Sequence, residues 1–145
     1  MKQLLLLFFI PILSYSQITY EDIMSINSVK TFKRVVIEGG YEFAYEKHGW
    51  LNYGKNLEKD YADEYKATEW CRYEKNTSNF RFLWFDLKQY YLNVENIKEK
   101  CKFYDVHNYY GTDYVCYSCS ESKYKGKIGF VIEDGDGYIR HFGNL

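Results

Sequence analysis

Apolar residues along this chain switch repeatedly between the helical period and the strand period, and the switches outline its elements. Thr19 is placed to cap a short helical turn through Tyr20-Glu21-Asp22, with Asp22 near the positive helix end. Ser28 then caps a second helix, whose apolar stripe runs through Val29, Phe32, Val35 and Val36 until Gly39-Gly40 stops it. Tyr41, Phe43 and Tyr45 alternate with Glu42, Ala44 and Glu46, the period-2 pattern of a strand with one core face. Residues 47–66 are polar and irregular and read as a loop with room for one short strand. Residues 68–74 and the alternating Phe80, Phe82 and Trp84 form two strands around a turn at Asn76-Thr77-Ser78-Asn79. Asn93 is placed to cap a short helix over 94–100, and four further strands are expected at 103–106, 114–119, 127–133 and 138–142.

Helices followed by strands, twice over, predict an α+β fold. The expected architecture is an antiparallel meander sheet with two or three short helices on one face. Two segments echo each other: Thr68-Glu69-Trp70-Cys71 ahead of Phe82, and Thr112-Asp113-Tyr114-Val115-Cys116 ahead of Phe130. The echo admits two α-then-β repeats.

The first residues form a different pattern. Lys2 precedes an apolar run from Leu4 to Leu13, and Ser14 and Ser16 stand three and one residues before a cut at Gln17. Small residues at those two positions are what a signal peptidase requires. The run is about half the 20 apolar residues that a membrane-spanning helix needs. The expectation is a cleaved signal at residues 1–16, a single small domain at 17–145, and a secreted or periplasmic protein without a membrane span after cleavage. That domain has 145 − 16 = 129 residues, enough for one core.

Losing Lys2 leaves 18 basic against 20 acidic residues, a net charge of −2. So small and negative a charge exerts no long-range pull on nucleic acid, which is excluded as an expected partner. The chain is rich in rings, with 17 Tyr, 10 Phe and 3 Trp, and these favour pleated, half-buried surfaces. The same rings also suit a binding surface for a protein or a glycan.

Export changes the reading of the four cysteines. An even count in an oxidising compartment argues that Cys71, Cys101, Cys116 and Cys119 form two disulfides. Cys116 and Cys119 point to opposite faces if the segment is a strand, so each should reach one of the other two. The preferred pairing is Cys71–Cys116 with Cys101–Cys119, among three arithmetically possible ones. Redox use of Cys116-x-x-Cys119 would require a helix start, yet a polar turn follows it. Zinc would require a second close Cys or His pair.

Other chemistry is not supported. Asp134-Gly135-Asp136-Gly137 lacks the spacing of a calcium loop and reads as a hairpin turn. His48, His107 and His141 have no metal-ligand spacing, and the chain has neither a nucleophile elbow nor a phosphate-binding glycine loop. No catalytic residue, metal site or cofactor is expected. The function expected is a non-catalytic binding or inhibitor-type domain acting on another exported protein. The alternative is a small secreted hydrolase or carbohydrate-binding module using aromatic and acidic residues. Partner contacts are expected at Trp50, Tyr53, Tyr61, Tyr65, Tyr109 and Tyr110, rings placed where core packing does not explain them.

Overall fold

The computed structural model describes residues 17–145, so the expected signal and its cut site lie outside the described residues. Helices α1 (Tyr20–Ser25) and α2 (Val29–Glu38) come first among the described residues. Both begin with a capping box, Thr19 with Asp22 and Ser28 with Thr31, in which cap and third helical residue satisfy each other's backbone N–H groups. Strands β1 (Tyr41–Lys47) and β2 (Trp50–Lys55) follow, then a two-stranded flap, β3 (Glu58–Lys59) with β4 (Tyr65–Lys66). After β5 (Glu69–Glu74) and β6 (Phe80–Trp84) comes α3 (Leu87–Lys100). Strands β7 (Lys102–Tyr109), β8 (Thr112–Ser118), β9 (Lys127–Glu133) and β10 (Asp136–Phe142) close the chain.

Eight strands form one antiparallel sheet in the order β1-β2-β5-β6-β10-β9-β8-β7. The fold is therefore α+β and mostly antiparallel sheet. The first four of these strands form one meander and the last four another, and they meet where β6 pairs with β10. The β1–β2 and β7–β8 hairpins occupy matching places and turn on the same device. His48-Gly49 and Tyr110-Gly111 each join paired strand ends with two residues of positive φ, the geometry of a type I′ turn. Asp134-Gly135 between β9 and β10 does the same, which is the hairpin turn expected there.

Register separates the two faces. Tyr53, Cys71, Phe82, Ile139, Phe130 and Val115 stand side by side across β2, β5, β6, β10, β9 and β8. They share one core cluster with Ile23 and Met24 of α1, Phe32, Val35 and Val36 of α2, and Tyr90, Val94 and Ile97 of α3. Phe32 is the hub, its ring 5.2–6.3 Å from those of Tyr53, Tyr73, Phe80 and Phe82. The residues between these on each strand face the other side of the sheet.

Four expectations are corrected. Residues 47–66 are not chiefly loop: Leu51 and Tyr53 point inward along β2, and its polar Asn52 and glycine Gly54 hid the alternation. Gly54 has a reason of its own, since a Cβ there would lie 2.7 Å from that of Ala67. Asn93 is no cap. α3 starts two turns earlier on Asp86, and the buried Asn93 amide donates to the Ile18 and Gln89 carbonyls, where it pins the segment ahead of α1.

Of the two preferred disulfides only Cys101–Cys119 is present, tying the end of α3 to the segment after β8; Cys71 and Cys116 are buried free thiols. Cys71 faces the helices, whereas Cys116 lies in register with Gly129 and Arg140 on the other face. Four strand spacings also separate them, about 19 Å at ~4.8 Å each, against a bridging limit near 7 Å. The fourth correction concerns the sequence echo. It matches β5 to β8, which are the third and second strands of their meanders, so the echoing segments are not equivalent.

Among the described residues, no helix is long and apolar enough to cross a membrane. The disulfide is compatible with an extracellular location.

Candidate functional site

The sheet face turned away from the helices carries an arrangement invisible in the linear sequence. Arg72 on β5 stands opposite Arg81 on β6, and Arg81 opposite Arg140 on β10. Three of the chain's four arginines thus form one row across the middle of the sheet. The row continues outward through Asn52 and Tyr45 on one side and through Gly129 and Cys116 on the other.

Like charges directly opposite in a sheet repel. A carboxylate would normally relieve the repulsion, and here none does. Every ion pair within 4 Å among the described residues uses a lysine. Arg140 is 1 % exposed, and its Nε, Nη1 and Nη2 have no hydrogen-bond partner; the buried Nε of Arg72 has none either. Burial, with the charges of Arg81 and Arg140 beside it, brings the Arg72 guanidinium down to about 10, and burial lowers Arg81 in the same direction. Arg72 therefore remains charged at neutral pH.

Aromatic rings take the place of counter-charges. The guanidinium carbon of Arg140 is 3.8 Å from the centre of the Tyr109 ring and 5.5 Å from those of Trp50 and Phe142. That of Arg72 lies 4.2 Å from Trp50, and that of Arg81 lies 5.0 Å from Tyr138. A second small core of Tyr114, Cys116 and Phe142 has the Tyr109 and Tyr138 rings packed against it. Each such contact contributes about 0.5–2 kcal/mol. An uncompensated buried charge costs about 3–5 kcal/mol. The rings soften the row without neutralising it, so the chemistry that suits it is an anion.

Beside the row lies a cavity of about 230 Å³, lined by Arg72, Arg81, Asn52, Tyr45, Trp70 and Leu83. A smaller hollow of about 130 Å³ adjoins it across Arg72, bordered by Trp50, Lys47 and His48. Asn52 is oriented by its Nδ2, which donates to the Trp50 and Tyr45 carbonyls. No group of three or more His, Cys, Asp or Glu side chains is gathered to hold a metal among the described residues.

The rings expected to make contacts divide four ways. Trp50 and Tyr109, far apart in sequence, meet on Arg140. Tyr65, on the flap, stacks on Tyr45 at the cavity with ring centres 5.9 Å apart. Tyr61 and Tyr110 are exposed at turns, Tyr110 edge-on to Tyr109 at 4.6 Å. Tyr53 is 4 % exposed and packs on Phe32 in the helix-side core, so it is corrected from a surface residue to a core one.

The arginines themselves were missed. Their one signal is local: Cys71-Arg72-Tyr73, Phe80-Arg81-Phe82 and Ile139-Arg140-His141 each set an arginine between two inward-facing residues. Only strand register turns those three outward positions into a row.

No family model matches this chain, and neither curated proteins nor solved structures give a match.

Proposed function

We propose that this chain is an exported, non-catalytic binding domain of inhibitor type, which holds an acidic partner protein against the open face of its sheet. The observation that carries the reading is the Arg72–Arg81–Arg140 row, with Arg140 buried and Arg72 and Arg81 half-buried among rings, and no carboxylate in ion-pair reach. A ligand that supplies the missing charge would bind the folded state and offset the cost of the row. The two α-then-β halves back this face, with their helices packed on the other side. Export after cleavage between Ser16 and Gln17 supplies the oxidising compartment in which Cys101–Cys119 persists.

The hydrolase alternative finds less support. Hydrolysis of a glycoside requires paired carboxylates, and the residues lining the 230 Å³ cavity beside the arginine row include none. Acidic residues of the 55–66 segment serve the flap instead: Asp60 pairs with Lys66 at 3.4 Å and Asp63 with Lys59 at 2.9 Å.

The test is retention of proteins from the producing organism's extracellular fraction on the immobilised chain, compared with an Arg72→Gln/Arg81→Gln variant. A partner should be held by the wild type, released by moderate salt, and lost with the double variant. Failure to retain any protein, or equal retention by the variant, overturns the reading.

A further inference from the structure

Resting on that reading of the open face, we propose that Arg72 and Arg81 form a socket for one carboxylate on an aliphatic stem, namely an aspartate or glutamate side chain of the partner polypeptide. As directly opposed cross-strand neighbours, the two arginines have Cα atoms about 5 Å apart. Two guanidinium forks at that spacing can donate to the two oxygens of one carboxylate, the planar group their geometry matches. The cavity between them and Leu83 holds about 230 Å³, roughly eight waters at ~30 Å³ each. That is room for a side chain and its nearest neighbours, with Leu83 and the Trp70 ring to cover an apolar stem.

Three other anions fit less well. A tetrahedral sulfate or phosphate directs oxygens to every side, and Leu83 has no donor for those facing it. A sugar acid requires free ring faces for its pyranose, yet the rings here are engaged with one another. Tyr45 stacks on Tyr65 and meets Trp70 at 64°, and Trp50 lies against Arg72. A polyanion requires a wide positive field, whereas the whole chain carries a net −1. Arg140 acts behind the socket. Walled in by Tyr109 and Trp50, it adds positive potential without offering a surface to the ligand.

Charge-matched monoanions test this on the folded, oxidised protein: butyrate, methyl sulfate and glucuronate, followed through the arginine Nε–H and Trp70 indole signals in 15N-labelled protein. Butyrate should shift the Arg72, Arg81 and Trp70 signals saturably, and bind at least about fivefold better than either other anion. Arg72→Gln and Arg81→Gln should each weaken it about tenfold or more, the loss of one charge-assisted hydrogen bond. Lys75→Gln, which removes a cation outside the row, should leave it unchanged. Equal response to all three anions, a preference for glucuronate or methyl sulfate, or no saturable shift rejects the socket. If butyrate fails but partner retention still depends on Arg72, the binding face survives and the socket falls. If butyrate binds and no partner is retained, the socket stands without the partner.

Discussion

The ring of Tyr109, at the tip of the β7–β8 hairpin, covers the guanidinium of Arg140, whose carbon lies 3.8 Å from the ring centre. Strands β9 and β8 lie between Arg140 and the strand that carries Tyr109, so the hairpin reaches over the open face to make this contact. It shields from water a cation that has no hydrogen-bond partner and no carboxylate.

A site held charged for a ligand should be unstable when empty. Arg140→Met keeps the bulk under Tyr109 and removes the charge and the three orphaned nitrogens. Replacing buried charge by well-packed apolar residues gains about 1–4 kcal/mol in comparable cases. The Met variant should therefore show a higher urea midpoint than the wild type in low-salt buffer free of organic anions. A lower midpoint would mean that the rings already balance the charge, and that Arg140 requires no anion nearby.

Cysteine chemistry should split cleanly. Peptide mapping of the native protein should find a single disulfide, Cys101–Cys119, and the Cys71 and Cys116 thiols should resist alkylation until the protein is denatured. Both are buried, and burial holds the Cys71 thiol far above its usual range and pushes Cys116 up to about 11, so neither offers thiolate at neutral pH. Cys101→Ala/Cys119→Ala should cost about 3 kcal/mol, since the bridge joins residues 18 apart. Rapid labelling of Cys71 in the native state would contradict its place under the helices.

The contrast between these cysteines shows how far the sequence could be read. Helix starts at Thr19 and Ser28 were legible because capping is local, settled within four residues. The strands with clean alternation, such as Phe80-Arg81-Phe82, were legible for the same reason. Asn93 misled because its amide is used by a carbonyl far away in sequence, that of Ile18. Cys71 and Cys116, and the arginine row, depend on which strands are neighbours and in what register. That information is carried by long-range pairing, and nothing in the order of residues displayed it. The candidate site was therefore read only at its rim, through Trp50, Tyr65 and Tyr109.

Gly137 sets how closely α3 lies on the sheet. A Cβ at this position would stand 2.4 Å from Cγ of Tyr90 and 2.8 Å from its Cβ, closer than packed atoms approach. Gly137→Ala should lower stability by about 1–3 kcal/mol, as overpacking does. If the clash is with that ring, the cost should shrink in a Tyr90→Ala background, which denaturant unfolding of the double-mutant cycle will read. Strict additivity of the two substitutions would place the cost elsewhere, in the β10 backbone.

His141 should give the fold a mildly acid-sensitive joint. Its ring lies between Phe80 and Tyr124, with centres 5.1 and 5.0 Å away, and is almost fully buried. Its Nε2 is 2.6 Å from the Lys125 carbonyl, which can only accept, so the proton sits on Nε2. Nδ1 is buried without a partner. Protonating Nδ1 would create a buried cation among rings, and burial accordingly lowers the His141 pKa below its usual 6.5, against the opposing pull of the Lys125 carbonyl. A group depressed in the folded state binds protons more readily when unfolded. Its contribution to stability is complete above the unfolded value near 6.5, and is lost as pH falls from there through the folded value. Urea unfolding at pH 7.5 and pH 5 should therefore show a larger loss on acidification for the wild type than for His141→Phe. The Phe variant keeps the stack and cannot titrate, although it gives up the bond to Lys125 at every pH. Because that constant loss cancels from the pH difference, equal losses in the two proteins would show that His141 titrates alike in the folded and unfolded states.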